Sequence, residues 1–202
     1  MAYITANWLE LLGLLTGVLC VWLLIRENIL TFPLGLLYAV ITVVVVARHN
    51  LFADVILNLY YVAMNAYGWY FWTYGGRERR GPEQLLVSWV PRIQWLGLIA
   101  IMIVGTVAMG WYFATQTTAA LPYPDSFTTV ASFVAMWMSA RKYLESWVLW
   151  FVIDVVQVAL YVIKGIEAYA VLYLIYLAMA IFGWLAWRKH LVGGQSLAGS
   201  AS

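Results

Sequence analysis

The chain has 202 residues, 65% of them hydrophobic and only 10% charged, and its mean hydropathy is +0.85. A soluble domain of this size carries about 25% charged residues, so the composition excludes one and indicates a polytopic membrane protein. The net charge of +2 gives no reason to expect a nucleic-acid partner, and the single cysteine, Cys20, excludes an internal disulfide.

Seven apolar runs approach the roughly 20 residues that a bilayer-spanning helix needs. They lie near 8–25, 30–47, 51–74, 93–114, 125–140, 146–163 and 167–187. The first lacks a basic flank and a small-residue cleavage site, so it reads as a helix and not as a signal peptide. The fifth is short and follows Pro122 and Pro124, which suit a turn and helix start. Polar breaks separate the runs, and the stretch Gly75 to Pro91 is the one sizeable basic loop. Residues 191–202, rich in Gly, Ser and Ala, read as a disordered or artificial tail, leaving residues 1–190 as one transmembrane domain.

Basic residues set the expected orientation. Nine of the 11 Lys and Arg fall on one side: Arg26, Arg77, Arg79, Arg80, Arg92, Arg141, Lys142, Arg188 and Lys189. Only Arg48 and Lys164 fall on the other. The excess of positive charge belongs on the cytoplasmic side, which puts the N-terminus outside and the C-terminus inside.

The chain also matches itself. At an offset of 115 residues, Gly68-Trp69-Tyr70-Phe71-Trp72 falls on Gly183-Trp184-Leu185-Ala186-Trp187. Arg26 meets Arg141, Leu57 meets Leu172, Tyr61 meets Tyr176, and Ala63-Met64 meets Ala178-Met179. An internal repeat of three helices is the reading, with repeat one over about 8–74 and repeat two over about 125–187. An odd-numbered unit repeated in tandem would lie inverted; the extra run at 93–114 makes the two units parallel, in a three-plus-one-plus-three order. Parallel repeats of this sort hold substrate between them near the midplane.

The polar residues inside the apolar runs carry the chemistry. Within Ser146 to Tyr161, Trp147, Trp150, Asp154, Gln157 and Tyr161 recur at three- and four-residue steps and share one helix face. A carboxylate at membrane depth costs about 2.5–3.5 kcal/mol even on lenient scales, so it marks a functional site. Two indoles beside a carboxylate and an amide suit a flat, cationic solute. The third run places Asp54, Asn58, Tyr61, Asn65, Trp69 and Trp72 on one face. Its mate carries Tyr169, Tyr173, Tyr176, Trp184 and Trp187, and the second run adds Tyr38, Thr42 and Pro33. Trp72 and Trp187 lie near helix ends and are expected in interfacial belts; Asn58 and Asn65 are also read as interhelical hydrogen-bond partners. No metal site is expected: His49 and His190 lack ligand spacing. No cofactor is expected, and no nucleophile–base pair suggests an enzyme.

Two stretches, Asn65-Ala66-Tyr67-Gly68-Trp69-Tyr70-Phe71-Trp72 and Arg141-Lys142-Tyr143-Leu144-Glu145-Ser146-Trp147-Val148-Leu149-Trp150, resemble the Pnu-type vitamin transporters, as does the opening Trp8-Leu9-Glu10-Leu11-Leu12-Gly13. The resemblance runs to about Arg188. It implies an all-α, seven-helix fold like that of the SWEET sugar transporters, a homotrimer, and residence in a bacterial inner membrane. It implies facilitated diffusion of a vitamin, trapped by a cytoplasmic kinase. Nicotinamide riboside is the first expectation and thiamine the second; riboflavin, being neutral, fits a buried carboxylate less well. The expected substrate-binding residues are Trp147, Trp150, Asp154, Gln157, Asn58, Asn65, Trp69, Tyr38 and Tyr173. The rival reading is a non-transporting structural subunit whose buried polar groups only hold helices together.

Overall fold

A computed structural model of the chain describes residues 8–48, 52–75, 79–80, 84–117 and 120–198. Seven helices account for nearly all of it: α1 (Trp8–Ile25), α2 (Thr31–Arg48), α3 (Phe52–Tyr74), α4 (Arg92–Gln116), α5 (Pro122–Ala140), α6 (Ser146–Ile163) and α7 (Glu167–Ala198). Among the described residues, Arg92–Gln116, Ser146–Ile163 and Glu167–Leu191 are long and apolar enough to cross a membrane. The seven apolar runs thus each become one helix, with two changes at the ends. Helix α5 starts at Pro122, because proline is tolerated in a first turn where its missing N–H has no partner to lose. Helix α7 continues past 187 into the stretch expected to be a tail; no proline stops it, and Gly193 and Gly194 only weaken a helix.

The basic loop contains a feature that helical patterning does not reveal. Strands β1 (Arg79–Arg80) and β2 (Gln84–Leu85) pair antiparallel. Beyond them, Ser88 bridges the α5–α6 turn: its N–H donates to the Lys142 carbonyl (3.2 Å) and its carbonyl accepts from the Leu144 N–H (2.9 Å). The Val90 N–H donates to both carboxylate oxygens of Glu145 at 3.1 Å. Burial pushes the Glu145 carboxyl above its usual range, against the pull of hydrogen bonds from its own N–H and that of Val90.

The chain divides into two units, Met1–Leu85 and Leu86–Ser202. In the first, α2 packs along both α1 and α3. In the second, α4 packs on α5, α5 on α6 and α6 on α7. The core of the second unit holds Val90, Leu98, Val134, Met138 and Tyr143, with Ala131, Ala135 and Ile153 forming a second cluster.

Local geometry recurs at the 115-residue offset. Helix α1 ends with the Asn28 N–H on the Leu23 carbonyl and the Glu27 N–H on the Leu24 carbonyl. Helix α5 ends with the Tyr143 N–H on the Met138 carbonyl and the Lys142 N–H on the Ser139 carbonyl. Both are Schellman caps, and both place a non-glycine residue in the left-handed region, Glu27 at φ 54° and Lys142 at φ 61°. Above each cap an arginine covers an indole: Arg26 over Trp22 at 5.0 Å and Arg141 over Trp137 at 5.9 Å.

The helix pairs that follow repeat as well. Phe32 meets Trp72 edge to face, with centroids 4.9 Å apart; Trp147 meets Trp187 the same way at 5.3 Å. Each α2 or α6 ring lies where a glycine on the next helix leaves room, Phe32 on Gly68 and Trp147 on Gly183. Trp72 and Trp187, expected in interfacial belts, are instead 6% and 0% exposed, because these aromatic pairs draw them into the helix contacts.

A Cβ at residue 183 would collide with the Trp147 ring, whereas one at Gly97 would meet nothing within 4 Å. Gly183→Ala is therefore expected to destabilise the protein by about 1–3 kcal/mol. Gly97→Ala should be neutral or stabilising by up to ~1 kcal/mol. Thermal unfolding in detergent compares the two.

Candidate functional site

Helix α6 is the element to build from. Asp154 is its ninth residue of 18, about 12 Å from either end at 1.5 Å per residue. It is 4% exposed and, among the described residues, it makes no hydrogen bond or ion pair. Local sequence explains the placement. Val148, Val152 and Val155 turn outward, so the face through Trp150, Asp154 and Gln157 turns inward. Gln157 is half-buried and likewise makes no hydrogen bond among the described residues.

The two indoles on this face differ in what holds them. Trp147 is 2% exposed, lies over Gly183 and meets Trp187 edge to face. Its ring fills the α6–α7 contact, and its Nε1–H finds no hydrogen-bond partner among the described residues. Trp150 is half-buried. It packs on the Ala131–Ala135–Ile153 cluster, and its Nε1–H donates to Ser139 Oγ of α5 at 3.1 Å. Trp147 is thus a helix-packing ring, and Trp150 is a fixed ring with accessible surface.

The C-terminal end of the face meets a tyrosine stack. Tyr161 lies between Tyr169 (5.2 Å, 22°) and Tyr173 (5.3 Å, 18°), and Tyr173 meets Tyr176 edge to face. Lys164 reaches over Tyr161 and binds Asp125 at 2.6 and 2.9 Å, tying the α6–α7 turn to the start of α5. Tyr173 therefore joins Tyr161 at one end of the α6 face.

The remaining expected residues lie in the first unit. Asn65 is 8% exposed, and its Nδ2 donates to the Tyr61 carbonyl at 2.8 Å. Its amide lies against Gly35, so it occupies the α2–α3 contact. Asn58 is equally buried, at 8%. Tyr38 and Trp69 are each 43% exposed. Asp54 is on α3, and its side chain lies outside the described residues. Ser139 was missed from the sequence. A serine near a helix end gives no pattern signal, and only its contact with Trp150 reveals it. No group of three or more possible metal ligands exists among the described residues.

A multi-pass helical protein with a buried carboxylate and a half-buried amide on an aromatic membrane helix has the architecture of a membrane transporter. The chain belongs to the nicotinamide mononucleotide transporter family, whose family model matches residues 7–189. It is 28% identical to the nicotinamide riboside transporter PnuC of Escherichia coli, over 90% of this chain and 85% of that one. It is 27% identical to the PnuC of Neisseria mucosa (91% and 73% covered), and 27% identical to the riboflavin/roseoflavin transporter RibM of Streptomyces davaonensis (89% and 84%). Its fold matches a crystal structure of the vitamin B3 transporter PnuC with a TM-score of 0.72, over 96% of this chain and 86% of that one, at 24% identity.

The Trp147 N–H has no partner among the described residues, and phenylalanine already fills the equivalent seat at position 32. Trp147→Phe is accordingly expected to cost no more than about 1 kcal/mol, whereas Trp147→Ala should cost about 3–5 kcal/mol by leaving a cavity against Trp187. Melting temperatures of the two variants in one detergent test this.

Proposed function

We propose that the protein carries nicotinamide riboside across a bacterial inner membrane, holding the cationic pyridinium ring against Trp150 with Asp154 as counter-ion. The observation that carries this reading is Asp154 itself: a carboxyl group at the middle of a membrane helix, buried and with no cation beside it among the described residues. Such a group is costly unless something positive comes to it. Relatives called nicotinamide riboside transporters in two organisms support the same choice.

The ring contact is assigned to Trp150 in preference to Trp147, because the Trp147 ring is buried in the α6–α7 contact against Gly183 and Trp187. Gln157 supplies an amide about two turns beyond Trp150 and one turn beyond Asp154 on the same face of α6, and is proposed to bond the ribose. Asn58, Asn65, Trp69, Tyr38 and Tyr173 are proposed to contribute to the route taken by the solute. Carriage is facilitated diffusion, with a cytoplasmic kinase trapping the product and three copies forming the assembly. All seven helices cross the membrane, three before α4 and three after it, with the N-terminus outside as the basic residues indicate.

A second reading is favoured by the relative that carries riboflavin. Riboflavin is a neutral flat ring system and would leave Asp154 without a counter-ion. Thiamine is a cation and would meet the same chemistry as nicotinamide riboside.

Calorimetric titration of the purified protein with nicotinamide riboside, thiamine and riboflavin separates these readings. Nicotinamide riboside is expected to bind, and Asp154→Asn to weaken it by about tenfold or more, the equivalent of ~1.4 kcal/mol. Unchanged affinity in Asp154→Asn removes the counter-ion role. Binding of riboflavin alone replaces the assignment.

A further inference from the structure

We infer that Ser139 is a positioning residue for the solute-binding ring: its hydroxyl fixes the angle of the Trp150 indole. The inference rests on the reading of Trp150 as the ring contact.

Ser139 is 5% exposed, on the last turn of α5. Its Oγ–H donates to the Ala135 carbonyl at 2.9 Å, leaving the oxygen lone pairs free to accept the Trp150 Nε1–H at 3.1 Å. The relay of indole, hydroxyl and carbonyl runs from α6 into the α5 backbone. An indole with accessible surface can turn about two side-chain torsions; a hydrogen bond from its N–H to a fixed acceptor holds it to one setting. A stacking partner is needed in one orientation, and a ring already held there loses no rotamer freedom when the solute arrives.

The repeat supplies the second line of argument. Where the two units share packing, the same contacts recur at the 115-residue offset. The Ser139–Trp150 bond does not. Its counterparts in the first unit are Leu24 and Gly35, neither of which can make it. The scaffold can therefore be built without this bond, and it occurs where the second unit departs from the first in chemistry. A hydroxyl buried in a membrane helix commonly bonds only the carbonyl four residues back. Ser132 does this with Thr128. Ser139 does this and also accepts from a neighbouring helix.

The test uses the full-length protein in detergent with indole-15N-labelled tryptophan. The Trp150 Nε1–H resonance is identified as the one lost in Trp150→Phe. Ser139→Ala is expected to move that resonance and to weaken nicotinamide riboside binding by about five- to tenfold, the effect of one hydrogen bond. Ser139→Thr, which keeps the hydroxyl, is expected to restore both. Two outcomes overturn the inference while leaving the ring-contact reading intact. One is an unmoved resonance in Ser139→Ala. The other is unchanged affinity in Ser139→Ala when Trp150→Phe loses binding. Unchanged affinity in Trp150→Phe itself overturns the ring-contact reading and the inference with it. Should Ser139→Ala fail to fold, Ser139→Cys, a weaker acceptor in the same volume, is measured in its place with the same expected direction.

Discussion

An apolar helix in a bilayer gains little by exchanging lipid for another apolar helix, so close approach of backbones must hold the bundle together. Glycine provides that approach at three of the helix contacts. Gly35 and Gly68 serve the α2–α3 pair, Gly105 and Gly110 the α4–α5 pair, and Gly183 the α6–α7 pair. Each glycine meets one large group from the facing helix: Asn65, Phe32, Val130, Tyr123 and Trp147 respectively. At two of these seats the ring goes on to meet a tryptophan edge to face, an arrangement worth about 0.5–1.5 kcal/mol beyond its buried area. Dispersion contacts and ring geometry here do the job that the hydrophobic effect does in water.

The same constraint explains which parts of the fold the sequence discloses. Helix number and rough limits follow from the apolar runs, each of which approaches the roughly 20 residues of a bilayer-spanning helix and is bounded by a polar break. The self-match at 115 residues is visible because glycine and tryptophan are rare enough to stand out from Leu, Val and Ala. The reason for the match is not visible. Gly-Trp-x-x-Trp at the ends of the third and seventh apolar runs suggests a belt at the headgroups. It is in fact a seat and an edge-to-face partner for a ring on the preceding helix. Nothing local distinguishes a tryptophan facing lipid from one facing a helix when both stand near a helix end. The two caps are hidden for a different reason. A left-handed cap is normally announced by glycine, and here Glu27 and Lys142 occupy it, so the turn is identified only by its hydrogen bonds.

The polar face of α6 is legible in part. Periodicity puts Trp147, Trp150, Asp154 and Gln157 on one side of a helix, and the structure keeps them there. Periodicity cannot divide labour between two indoles three residues apart. The division comes from α7 and α5: Gly183 accepts the Trp147 ring, while Ser139 ties the Trp150 N–H. Asn65 is a parallel case. Its amide is bonded within α3 and rests on Gly35, a packing contact that periodicity does not reveal.

Comparing the two units position by position separates scaffold from chemistry. Where they agree in shape, the residues are those of caps, seats and edge-to-face rings. Where they differ, the second unit holds the polar or bulky group on α6. Gly35 corresponds to Trp150, Ala39 to Asp154 and Thr42 to Gln157, and on α5 the polar Ser139 stands where the first unit has Leu24. The first unit reverses this at one position of its last helix, where Asn65 corresponds to Ala180. A symmetric pair of units would offer an asymmetric solute the same chemistry twice. Concentrating a carboxylate, an amide and an anchored indole on one helix of one unit would give the proposed flat cation a single preferred orientation, which a symmetric pair of units would not.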